Sequence, residues 1–180
     1  MLSIIVPGGE RYDDETGEFV YAKDQELIME HSLISISKWE ARWHIAYNKN
    51  REKTPEEILD YFKCMTINKV DPEVYNRLTE ENMRTIIDYI NEPMTACYFH
   101  NRDSDNGRSG DIVTSELIYY DMIALGIPFE CEKWHFNKLM ALIQVCIMKS
   151  SPGKKMSKGE IARRNAKLNA ARRKAHRTKG

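Results

Sequence analysis

Apolar residues are densest between residues 112 and 148, where they recur at intervals of three and four. Thr114 and Ser115 can cap a helix with a side-chain oxygen, and Leu117, Ile118, Met122 and Leu125 then fall on one face. Gly126 suits the left-handed conformation that closes a helix, and Pro128 cannot continue one. After a connector over residues 127–132, Trp134, Leu139, Leu142, Ile143, Cys146 and Ile147 make the stripe of a second helix. These two helices are expected to form the wall on which the other elements pack.

Upstream, the β-branched run at residues 2–6 stops at Pro7, Gly8 and Gly9, a strand followed by a turn. Acids and a glycine at residues 13–17 suit a solvated hairpin loop, and Leu27, Met29 and His31 alternate with polar neighbours. A small antiparallel sheet of three or four strands is predicted over about the first thirty residues. Residues 32–37 read equally well as strand or helix start, and residues 38–47 read as a helix with Trp39 and Trp43 on one face. Thr54, Pro55 and Glu57 supply an N-cap, a first-turn proline and a capping-box glutamate. The stripe expected to follow is Ile58, Leu59, Phe62 and Met65.

Residues 70–75 suggest a turn into a short helical piece, and Thr79 opens a further helix with Met83, Ile86, Ile87 and Ile90 on one side, ending near Pro93. The polar run at residues 101–109 reads as an exposed loop. Asp103, Asp105 and Gly107 hint at a calcium loop, but an EF-hand needs Gly at its sixth position and Glu at its twelfth, and here the glycine is fifth and Glu116 fourteenth. A break at Ser151, Pro152 and Gly153 precedes a second capping box, Ser157 with Glu160, which opens a helix over residues 158–175. The class predicted is α+β, mainly α: a small N-terminal antiparallel β-sheet region (1–31), a helical bundle (32–150) and a basic C-terminal helix (151–180).

Composition narrows the class of protein. A chain of 180 residues with 42% hydrophobic residues can bury one sizeable core plus an appendage. No apolar run approaches the roughly 20 residues of a membrane span, and residues 1–6 lack the features of a signal peptide, so a soluble protein without membrane association is expected. Cys64, Cys97, Cys131 and Cys146 are widely spaced and suit reduced thiols in a cytosol. Charge is polarised. Of 27 basic and 27 acidic residues, twelve basic and one acidic fall in residues 149–180; the body keeps 15 and 26, giving +11 against −11. Such a tail attracts an acidic surface or nucleic acid, in a salt-sensitive way.

Chemical motifs are scarce. The chain lacks GxxxxGK[ST], GxGxxG, GxSxG and HExxH. Cys131 and His135 are four apart and could pair at a metal or as thiol and base, but two ligands do not make a zinc site. His44 reads as a packed or surface histidine. Glu56, Glu57, Glu80 and Glu81 lie in first helical turns, where carboxylates favour the positive end of the helix dipole. Asp121 interrupts an apolar face, as an edge position would. No catalytic residue, cofactor or metal is expected. The tail has no Phe, Tyr or Trp between residues 154 and 180, so phosphate contact and charge attraction are what it offers nucleic acid.

Several stretches are similar to a family of small proteins encoded by tailed bacteriophages. They are EHSLISISKWE at residues 30–40, KTPEEI at 53–58, TSELIYY at 114–120, GIPFECEKWH at 126–135, and residues 155–157 with LNAARR at 168–173. Members are treated as tail assembly chaperones or left unassigned. The resemblance implies a non-catalytic protein of the host cytoplasm, absent from the mature virion, that binds the tape-measure protein and recruits tail-tube subunits. A chaperone for a long amphipathic protein needs an apolar groove and guiding charge. Ile127, Phe129, Trp134 and Leu139 could line such a groove, with Ile161, Arg163, Arg164, Lys167, Leu168, Arg172 and Arg173 as the contact set of the basic helix. A packed core is the competing explanation for the first four. Two other functions stay open, a nucleic-acid-binding protein acting through residues 154–179 and a structural tail or neck subunit, and self-association is undetermined.

Overall fold

A computed structural model describes residues 1–13, 17–97, 113–150 and 158–176. The polar run at residues 101–109 with its calcium-like acids, the centre of the acidic turn at 14–16, and the break at 151–153 with Ser157 lie outside the described residues. By internal contacts the chain divides into Met1–Ile147 and Met148–Gly180.

The first unit opens with β1 (Leu2–Val6), β2 (Gly9–Asp13), β3 (Glu18–Ala22) and β4 (Gln25–Met29). In place of one three- or four-stranded sheet there are two antiparallel ladders, β1 with β4 and β2 with β3. Both keep one alignment, from Leu2 opposite Met29 to Asp13 opposite Glu18, so they form a single ribbon interrupted once. The interruption has local causes. Pro7 has no N–H to give the ladder, the Gly8 N–H donates to Asp24 Oδ1 at 2.7 Å, and a Cβ on Gly8 would meet the Ala22 carbonyl oxygen at 2.4 Å. Ile4, Val6, Leu27 and Met29 alternate onto the buried face, as the pattern predicts. The outer edge of β4 is covered: the Ile67 N–H donates to Ile28 O at 2.8 Å and Asn68 Oδ1 accepts the Ile28 N–H at 2.9 Å.

The ambiguous stretch at residues 32–37 is helical. Ser32 caps α1 (Leu33–Trp43), and Ser32 and Ser35 bond each other's backbone N–H in a capping box. This helix, and not the pair at the C-terminal end of the body, is the hub: it packs on α2 (Pro55–Met65), on α4 (Ser115–Ala124) and on a 3-10 helix at Phe129–Lys133. Trp39 is fully buried there, with Nε1 donating to Glu57 O at 2.9 Å.

Thr54 and Glu57 form the predicted capping box of α2, but its buried face is Glu57, Tyr61, Phe62, Cys64 and Met65, and Ile58 faces outward. Polar-tipped residues take the inner positions because partners wait for them, Arg51 for Glu57 and His31 for Tyr61. A 3-10 helix at Pro72–Arg77 leads to α3 (Glu80–Asn91), which lies against β1 and buries Ile86 and Tyr89 while Met83 and Ile87 face outward.

α4 ends in a Schellman motif: Gly126 has φ 65°, its N–H donates to Ile123 O at 3.2 Å, and the Ile127 N–H donates to Met122 O at 2.8 Å. Trp134 falls between the 3-10 helix and α5 (Phe136–Ser150). In the second unit, α6 (Lys158–His176) is the predicted basic helix. The fold is mainly α with antiparallel β structure at the N-terminus.

Candidate functional site

An apolar groove of about 900 Å³ among the described residues of the first unit is bounded by α4, α5 and the segment after α3. Leu117, Tyr120, Met140 and Ile147 form its walls, with Asp121, Asn137 and Gln144 as polar points. Leu117 is 48% exposed, Tyr120 65% and Ile147 43%. The pattern assigned Leu117 and Ile147 to core stripes. On α4 Ile118 and Met122 of the predicted stripe enter the core, while Leu117, Tyr120 and Ile123 face outward. A signal was present in the sequence: α4 is apolar almost all round, interrupted by Glu116 and Asp121, yet only part of it finds a core to enter.

Polar anchors hold the groove walls. Thr114 makes no side-chain cap bond, and Glu40 in α1 supplies one in its place, its Oε2 accepting the Ser115 N–H at 2.8 Å. Glu40 Oε1 accepts the Tyr47 N–H at 2.7 Å. At the head of α5, His135 Nδ1 accepts the Asn137 N–H at 3.3 Å and Nε2 donates to Tyr89 O at 2.9 Å. Asn137 Nδ2 donates to Ile90 O and Glu92 O at 3.1 and 2.7 Å. The start of α5 thus closes the carbonyl end of α3. His135 and Cys131 are both buried, and both ring nitrogens of His135 are engaged in this clamp.

A buried aromatic knot that no local sequence pattern marks forms around His31. His31 Nδ1 and the Tyr61 hydroxyl share a hydrogen bond at 2.5 Å, the Tyr61 ring packs on Tyr47, and the His31 ring lies 5.1 Å from that of His135. Burial, reinforced by the neighbouring His135, pushes the His31 pKa down to about 3. Burial also raises Tyr47 to about 12 and Tyr61 well above the usual phenol range. His31, Tyr47 and Tyr61 stay neutral near pH 7 and join the ends of β4 and α1 to α2. The Phe136 N–H completes the seam by donating to His31 O at 2.6 Å.

The sequence-derived contact residues separate into three sets. Leu139 is fully buried and Ile127 nearly so, because each is part of the hydrophobic core, and neither offers surface to a partner. Phe129 at 55% exposure and Trp134 at 39% do reach the surface, Phe129 beside Tyr119 and Trp134 under the Lys138 ammonium at 4.5 Å. Neither lines the groove. Ile161, Arg163, Arg164, Lys167, Leu168, Arg172 and Arg173 all fall in α6, and every side chain described between residues 162 and 174 is exposed. His44, the left-handed C-cap of α1, is exposed.

No protein-family model, curated protein or solved structure matches this chain. No helix among the described residues is long and apolar enough to cross a membrane.

Proposed function

We propose that this protein is a non-catalytic assembly chaperone that seats an amphipathic helix of a larger partner in the groove between α4 and α5. The observation that carries the reading is the groove itself, with Leu117, Tyr120 and Ile147 exposed on two facing helices. Apolar walls flanked by a carboxylate and amides fit a helix with a hydrophobic stripe and a polar, partly basic rim. A space of this size seats roughly four turns of a half-immersed helix about 10 Å across. The acidic balance of residues 1–148 favours encounter with a basic partner segment.

The resemblance to tailed-phage proteins names the partner: the tape-measure protein, whose long helices need cover until tail-tube subunits assemble round them. The protein then works in the host cytoplasm and leaves before the particle is complete. A tagged copy expressed during infection should co-purify with tape-measure and tube proteins and be scarce in purified particles by mass spectrometry. Failure to enrich either protein over an untagged control defeats the reading, and stoichiometric recovery from particles favours a structural subunit.

A further inference from the structure

We propose that α6 binds duplex DNA by lying in its major groove, independently of what the α4–α5 groove holds. Arg163, Arg164, Lys167, Arg172, Arg173 and Lys174 are exposed, and at 3.6 residues per turn they surround the helix instead of sharing one face. An acidic protein surface meets one side of a helix and leaves the opposite cations unmatched. A B-form major groove is about 12 Å wide, admits a helix, and presents phosphates along both of its flanks.

The remaining face of α6 fits the floor of that groove. Asn165 and Asn169 lie one turn apart and share a side with Ala162 and Ala166, with Arg172 at the edge of that side and Arg173 on it, one turn beyond Asn169. Small alanines let the backbone approach, and an asparagine amide can donate to and accept from the N6 and N7 edge of adenine. Residues 154–180 contain no Phe, Tyr or Trp on which an unpaired base could stack, which disfavours single strands. The deep, narrow major groove of A-form RNA does not admit a helix of this kind.

Fluorescence anisotropy of the full-length protein with short duplexes tests the inference, using one adenine-containing probe, one G·C-only probe and sodium polyglutamate as the acidic-protein mimic. Removing Arg163 and Lys167 as the double variant R163Q/K167Q should make the salt dependence shallower by roughly two phosphate contacts. Asn165→Ala with Asn169→Ala should abolish a roughly tenfold preference for the adenine-containing duplex while leaving the salt slope unchanged. Alanine favours helix, so this variant keeps α6 intact, which circular dichroism checks. The inference is overturned if no duplex binds at low salt, if polyglutamate binds as tightly as the duplex at equal charge, or if the base preference survives loss of both asparagines.

Discussion

Glu40 in α1 caps α4 from 75 residues away, its Oε2 accepting the Ser115 N–H at 2.8 Å while Oε1 holds the Tyr47 N–H. One buried carboxylate therefore fixes the helix that carries Leu117 and Tyr120 to the hub of the body. Glu40→Gln replaces one acceptor with a donor that faces an N–H. A loss of roughly 2 kcal/mol in urea unfolding is expected, from a buried donor left without a partner. A change within error would show that α4 is held by packing alone.

His31 makes stability depend on pH. Its folded pKa of about 3 lies below the 6.5 of the unfolded chain, so on acidification the unfolded state takes up the proton first. The stabilisation is complete above pH 6.5 and declines by up to about 1.4 kcal/mol per pH unit towards pH 3. Unfolding free energies measured between pH 6.5 and 4.5 should slope accordingly. His31→Phe should flatten that slope and cost about 1 kcal/mol at pH 7 for the lost Tyr61 bond. An unchanged slope in the variant would place the acid sensitivity elsewhere.

Gly126 holds a left-handed conformation with no atom within 4 Å of where a Cβ would stand. Substitution there meets backbone strain and no clash. Gly126→Ala should lower stability by about 1 kcal/mol, and Gly126→Asn by less, because asparagine tolerates this conformation better. Thermal unfolding of the two variants side by side reads the difference, and equal losses would argue against a backbone cause.

Local signals were legible in the sequence wherever the chain speaks to its near neighbours. The Thr54 and Glu57 capping box, the Gly126 stop and the alternation of Leu27 and Met29 all stand as the pattern predicts. Long-range satisfaction was not legible. Nothing local marks Glu40 as the cap of α4, or Tyr61 as the partner of His31, and periodicity alone places Ile58, Leu117 and Ile147 in stripes that the core leaves outside. The groove is invisible in the sequence for a related reason. Periodicity reports that a helix has an apolar face, and on α4, apolar nearly all round, it does not say which side finds the core.

Groove positions should separate binding from folding. Leu117→Lys and Tyr120→Lys alter exposed side chains, so each should shift stability by no more than about 0.5 kcal/mol. Leu139→Ala, by contrast, empties a fully buried site and should cost about 3 kcal/mol. Chemical denaturation of the three variants orders them, and a Leu117 variant as damaged as the Leu139 variant would show that the groove wall is core.

The proposed occupant of the space between α4 and α5 is a helix of the tape-measure protein. Isothermal titration of purified protein with overlapping tape-measure peptides tests it directly, comparing the native chain with the Leu117→Lys/Tyr120→Lys double variant. At least one amphipathic peptide should bind the native chain, gain helicity on binding, and lose at least tenfold in affinity to the folded variant. Equal affinity for the two proteins, or no peptide bound by the native chain, would contradict the account.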